Sequence, residues 1–209
     1  MVNIVKTIQP PSLLQAIKNG VILYDNLGKR EKVDLRNKLL KDQGYICCYC
    51  QKRLPHKFIV KSKIEHFLCQ DKNPKLQLNF NNLFIACNGI GNNDVFTCDT
   101  KKANLDINSF DLINSNITSK IKYTKNGAVF SDDQNIKNDI ENILNLNDEN
   151  LRKSRESVYK AIEQIKKRCG LKKGNYSKKI EKSIRDCIAK DANGKFQPFY
   201  GVSLYFLKK

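Results

Sequence analysis

Acidic residues are outnumbered in this chain, 21 Asp and Glu against 38 Lys and Arg over 209 residues, and histidine occurs twice. No run of about 18 apolar residues exists to span a bilayer, and the start, Met1-Val2-Asn3-Ile4-Val5-Lys6, lacks the apolar core of a signal peptide. These absences exclude a membrane partner and lead to the expectation of a cytoplasmic protein. No Asn-Gly pair forms a phosphate loop, and nor do Gly28-Lys29 or Gly194-Lys195, so ATP is not bound here through a Walker motif. Internal repeats, low-complexity tracts and flexible interdomain linkers are missing as well.

What is present suits a folded protein with an anionic partner. At 40% hydrophobic and 28% charged residues, the chain can bury a core as one globular domain, or as one domain with an appended part. The formal charge is +17 and uneven, since residues 151–209 hold 17 basic against 5 acidic residues. A field of that sign gathers polyanions through counterion release, so nucleic acid is the expected partner. The eight cysteines are closely spaced, which favours metal binding and buried thiols over a disulfide framework in a reducing compartment.

Pro10-Pro11-Ser12 ahead of Leu13, Leu14 and Ile17 predicts a short helix stopped by Gly20, and a second helix is expected over Glu31 to Lys41, burying Leu35, Leu39 and Leu40. Phe58-Ile59-Val60 and Ile64 to Leu68 read as two strands joined by Lys61-Ser62-Lys63. Asn81 and Asn82 are expected to cap a helix through Leu83, Phe84 and Ala86, and Asp99 to open a last short helix. Further on, Ile121, Tyr123, Val129 and Phe130 suggest a hairpin around Asn126-Gly127. Helical spacing recurs through Ile136, Ile140, Ile143 and Leu144, through Leu151, Val158, Ile162, Ile165 and Cys169, and through Ile180, Ile184, Cys187 and Ile188, with caps expected at Asn147 and Ser177. Phe196 to Leu207 is apolar enough to dock as either strand or helix.

Chemistry concentrates between Tyr45 and Ala103. Cys47 and Cys50 can grip a metal from one turn, and Cys87 and Cys98 can close a tetrahedral zinc site; Cys48, Cys69 and His56 remain alternative ligands. A neutral imidazole can take a proton from water, which makes His66 the candidate general base. Glu65 and Asp99 are hard oxygen ligands for a second cation, Mg²⁺ or Mn²⁺, that neutralises charge on a transferring phosphate. Asn82 would hold the histidine-bearing loop by hydrogen bonds. Lys102 is a candidate phosphate contact, as are Lys166, Lys167, Lys172 and Lys173 on the basic tail.

In order, Cys47-Cys48-Tyr49-Cys50, Ile64-Glu65-His66-Phe67, Phe80 to Cys87 and Cys98-Asp99-Thr100-Lys101-Lys102 resemble the motif of the HNH endonucleases, the ββα-metal group. The resemblance implies His66 as base, Glu65 and Asp99 as catalytic metal ligands, Asn82 as the middle residue and the four cysteines as a structural zinc site. Asp99 departs from the His or Asn of many relatives, Glu65 from their Asp, and Cys69 from a common proline. Within the group the chain is similar to the HNH subunit of Septu-type anti-phage systems and to retron-associated HNH proteins, through Pro10-Pro11, Gly44-Tyr45-Ile46-Cys47, Ile143 to Asn147 and Phe199-Tyr200-Gly201-Val202. That likeness implies an ATPase subunit controlling a nuclease.

The expected architecture is therefore α+β. Residues 1–44 form an N-terminal helical segment, 45–106 an HNH nuclease core with its zinc knuckle, and 107–209 a mainly helical basic region that binds nucleic acid or a partner. The expected activity is metal-dependent hydrolysis of DNA. A zinc-stabilised nucleic-acid-binding module without catalysis and a toxin cleaving RNA are the competing readings.

Overall fold

Pro11 lacks the backbone N–H that a first helical turn leaves unpaired, and it starts α1 (Pro11–Lys18), which packs on α2 (Lys29–Asp42). A computed structural model of the chain describes residues 1–55, 62–91, 95–114, 116–168, 181–182, 185–186 and 189–208. The architecture is α+β, with helices around two small antiparallel sheets. As expected, α2 buries Leu35, Leu39 and Leu40. It also buries Arg36, whose guanidinium donates to the Ser62 carbonyl at 3.2 Å and to the Ser62 hydroxyl, fixing the start of the first strand. Gly44 turns the chain out of α2 at φ 59°, where an added Cβ would lie 2.3 Å from the Phe196 ring.

The first sheet pairs β1 (Ser62–His66) with β2 (Leu83–Cys87), in a register that sets Glu65 opposite Phe84 and His66 opposite Leu83. Two expectations are corrected here. Ser62 and Lys63 belong to β1 and are not a connection, while Phe58-Ile59-Val60 lies outside the described residues. Leu83 to Cys87 is a strand and not a capped helix. All five of its residues are buried, so it shows no polar alternation, and a continuous apolar run of that length does not reveal its period. The Gln43 side chain fixes this strand, accepting from Ile85 N at 2.7 Å and donating to Ile85 O at 2.8 Å. Ahead of it, Phe80–Asn82 forms a 3₁₀ turn in which Asn79, rather than Asn81 or Asn82, supplies the capping oxygen.

α3 (Cys98–Lys102) follows and packs on β2. After α4 (Ile117–Lys120), the hairpin expected around Asn126-Gly127 forms from β3 (Lys122–Tyr123) and β4 (Val129–Phe130). The helical spacing of Ile136 and Ile140 runs through α5 (Gln134–Asn138) into a π turn, Asp139–Ile143. α6 (Glu149–Arg168) is capped by Asp148, whose carboxylate accepts from Asn150 N and Leu151 N. Asn147 does not cap it; its amide grips both the N–H and the C=O of Val129. The apolar end resolves as a helix, α7 (Tyr200–Leu207), packed on α6.

One hydrophobic cluster draws on the whole chain, including Leu13, Leu39, Phe84, Ile107, Leu144, Ile162 and Phe206. Among the described residues, no helix is long and apolar enough to cross a membrane. His56, Cys169, Lys172, Lys173, Ser177, Ile180, Ile184, Cys187 and Ile188 lie outside those residues.

Candidate functional site

Cys47, Cys50, Cys87 and Cys98 come together in the interior with all four sulfurs within 4.8 Å of one another. The first pair sits on a tight turn closed by Gln51 N to Cys47 O at 3.1 Å and by the Ile46–Arg53 bridge. Ten residues separate Cys87 from Cys98, yet a small hairpin brings the chain back, with Thr97 N on Gly89 O at 2.8 Å and Ile90 bridged to Phe96. Gly89 makes that return possible. Its φ is 62°, and a Cβ there would lie 1.8 Å from the Thr97 carbonyl oxygen.

The donor set fits one metal ion and is compatible with zinc. Zn–S bonds of about 2.3 Å put tetrahedral sulfurs roughly 3.8 Å apart, and the Cys50 and Cys87 sulfurs are 3.8 Å apart. Cys87 N–H donates to the Cys47 sulfur at 3.3 Å, as suits a thiolate. Burial pushes the Cys47 thiol up, but hydrogen bonds from Cys48, Cys50, Cys87 and Cys98 outweigh it and hold the group well below its usual value. Cys98 takes φ 52°, unusual for a side-chain-bearing residue, and is held there by its N–H on Leu144 O at 2.9 Å. Cys48 and Cys69 are buried but outside the cluster, and the third alternative ligand, His56, lies outside the described residues.

Beside the thiols, β1 and α3 bring two acids together. Glu65 is 3% exposed and receives the Tyr49 hydroxyl at 2.8 Å and the Lys102 ammonium at 2.9 Å. Burial raises its carboxyl to about 8; a hydrogen bond with Asp99 adds to the rise, and Lys102 opposes it. Asp99 reaches this point from the first turn of α3 and pairs outward with Lys63 at 2.9 Å.

His66 closes β1. Its Nε2–H donates to the Gln77 carbonyl at 3.0 Å, and Tyr24 packs edge-on against the ring at 5.0 Å. A carbonyl only accepts, so this bond fixes the tautomer and leaves Nδ1 as the basic nitrogen. Burial lowers the imidazole below its ordinary value, partly offset by the Gln77 bond. Asn82 holds the loop that supplies Gln77. Its Oδ1 accepts from Leu68 N at 2.8 Å, and its Nδ2 donates to Leu68 O at 3.0 Å and Leu76 O at 3.3 Å.

The phosphate role assigned to Lys102 is corrected. The residue is 1% exposed, and its ammonium points inward to Glu65 and to the His66 carbonyl at 3.0 Å, so a phosphate at the surface does not reach it. Lys166 and Lys167 lie in the last turn of α6; Lys167 is exposed and Lys166 stands 3.9 Å from Glu163. Tyr49, Gln77, Tyr24 and Lys63 were not picked out from the sequence. Tyr49 sits inside the Cys47-x2-Cys50 turn, but nothing in the pattern marks its hydroxyl, and Gln77 acts through a backbone carbonyl that any residue carries.

No protein-family model and no curated protein matches the chain.

Proposed function

We propose that the chain is a metal-dependent endonuclease of the HNH, ββα-metal type that hydrolyses DNA phosphodiester bonds, with Mg²⁺ or Mn²⁺ at the catalytic site and zinc at the thiols. One arrangement carries the reading: Glu65 and Asp99, from a strand end and a helix start, lie close enough to influence each other's charge, and the residue that follows Glu65 is a histidine whose tautomer is fixed. Magnesium characteristically takes one or two carboxylates and fills its remaining positions with water and phosphate oxygens, which suits this pair. A cation held by Glu65 and Asp99 supplies charge neutralisation at the phosphate and at the leaving 3′ oxygen.

The side chains around that pair divide the remaining work. His66 accepts the proton of the attacking water at Nδ1 as the new O–P bond forms and the bond to the 3′ oxygen breaks, and solvent protonates the leaving oxygen. Gln77 and Asn82 keep the ring aimed. Lys63, 2.9 Å from Asp99, adds positive charge where a polyanion approaches. The likeness to defence-system nucleases adds an ATPase subunit as the controlling partner.

A binding module without catalysis is favoured by one feature, the Lys102 ammonium already seated on Glu65. Zinc-loaded protein and a His66→Ala variant of unchanged fold and zinc content, each alone and with the ATPase partner, are incubated with plasmid, DNA oligonucleotide and RNA, with Mg²⁺, Mn²⁺ or EDTA. Cation-dependent DNA scission lost in the variant is expected. Binding without scission under every condition would establish the module, and scission of RNA alone would establish the toxin.

A further inference from the structure

Both carboxylates of the proposed cation site already face an ammonium, and the two lysines differ in their freedom to move. Strand periodicity puts Lys63 and Glu65 on one face of β1, two residues apart. α3 supplies Asp99 and Lys102, three residues apart and on one side of the helix. Lys63 stands 2.9 Å from Asp99 Oδ2, and Lys102 stands 2.9 Å from Glu65 Oε1. The Lys102 side chain is 1% exposed and also holds the His66 carbonyl, so it belongs to the interior. The Lys63 side chain is 54% exposed, and its second contact is a long one, to the Thr100 hydroxyl at 3.5 Å.

Asp99 is the end of the acid pair that solvent reaches, its side chain 17% exposed against 4% for Glu65. Mg²⁺ binds carboxylate oxygens at about 2.0–2.1 Å, inside the 2.9 Å at which the Lys63 ammonium sits. A cation on Asp99 and an ammonium on the same carboxylate repel each other, so entry of the first drives out the second. An ion pair this exposed is weak, worth roughly two- to fivefold in an equilibrium constant. That is enough to bias which of the two positive groups Asp99 holds, and little enough for the lysine to give way.

We propose that Lys63 gates the cation site: its ammonium occupies Asp99 in the free protein and must swing into solvent before a divalent cation binds there. The inference rests on the reading of Glu65 and Asp99 as cation ligands and adds a control to it. The flexible four-carbon stem of Lys63 supplies the movement, while the buried Lys102 stays in place and keeps α3 tied to β1. Released from Asp99, the Lys63 ammonium is the positive charge that a phosphate meets.

Mn²⁺ alone reports on the gate, with no nucleic acid and no cleavage. Zinc-loaded full-length protein is titrated with Mn²⁺ at constant ionic strength, and the free ion is followed by its electron paramagnetic resonance signal. Lys63→Gln is expected to bind Mn²⁺ about fivefold more tightly than the parent, and Lys63→Arg, which keeps the charge, about as weakly as the parent. Lys101→Gln removes an equal charge from an exposed position two residues from Asp99, on another side of α3, and should change the affinity less than about twofold. Lys63 is more than half exposed, so its substitutions keep the fold. Adding Asp99→Asn to Lys63→Gln is expected to abolish the binding. Equal affinity in the parent and Lys63→Gln, or equal tightening by Lys63→Arg or Lys101→Gln, overturns the gate and leaves the cation site standing. Mn²⁺ binding that survives Asp99→Asn, or no binding by any form of the protein, overturns the cation site and the gate with it.

Discussion

Lys102 and Glu65 face each other inside the protein at 2.9 Å, their side chains 1% and 4% exposed. A lysine three residues past Asp99 reads from sequence as a surface cation, yet here it ties α3 to the end of β1. Removing one partner of a buried pair leaves the other uncompensated, at a cost of about 3–5 kcal/mol. With its carboxyl raised to about 8, Glu65 is largely protonated near neutral pH, so Lys102→Met is expected to cost less than that figure there and to approach it only above about pH 8, where Glu65 is charged. Adding Glu65→Gln should restore part of the loss, and a double-mutant cycle in urea measures the coupling. Strictly additive effects of the two substitutions would show that the pair contributes nothing to stability.

The thiol cluster predicts one tightly held metal ion per chain. Cys50→Ser should lose it and melt at markedly lower temperature, whereas Cys48→Ser and Cys69→Ser should keep it, because neither sulfur belongs to the cluster. Protons compete for thiolates, so affinity should fall as pH is lowered. Gly89→Ala should weaken the site from a distance by forcing Cys87 and Cys98 apart. Elemental analysis of the purified variants decides each case, and full metal content in Cys50→Ser would remove Cys50 from the ligand set.

Asn82 makes three hydrogen bonds to the loop that follows His66. Asn82→Ala should cost about 1–3 kcal/mol of stability and slow cleavage by roughly 10- to 100-fold through misplacement of the base. A second readout separates positioning from simple destabilisation. Burial holds His66 below its ordinary value, so activity should reach its plateau with a midpoint under about 6.5. Loosening the loop admits water and should move that midpoint upward. A slower variant with an unshifted pH profile would rule out the positioning role.

How far this arrangement was legible depended on whether each residue acts through a recognisable side chain or through its place in the fold. The four cysteines, Glu65, His66 and Asp99 could be picked out because thiols, imidazole and acids have few other reasons to cluster. The strand Leu83 to Cys87 was misread because burial on both faces erases the alternation that identifies a strand. Lys102 was misassigned because charge alone does not tell whether a partner waits inside. Gln77 was invisible, since its contribution to His66 is a backbone carbonyl. The hairpin around Asn126-Gly127 was legible for the opposite reason: turn chemistry is local.

Lys6 supplies a pH test of the same packing. Its ammonium donates to the Phe80 carbonyl at 3.0 Å and to the Leu83 carbonyl, and lies 4.3 Å from the Phe80 ring centroid and 4.4 Å from that of Phe84. Burial lowers its pKa to about 7, with Asp42 pulling it back upward. The unfolded chain keeps this proton up to about 10.4, so between the two values the unfolded state binds more protons than the folded one, and stability rises with pH. Below about pH 7 both states are charged, and the cost of burying the ammonium is present in full. Lys6→Met removes the titrating group while keeping an apolar stem against Phe80 and Phe84. Denaturation at pH 7 and pH 10 should therefore show a smaller gain with pH in the variant than in the parent, and equal gains would mean that Lys6 keeps its ordinary pKa in the folded protein.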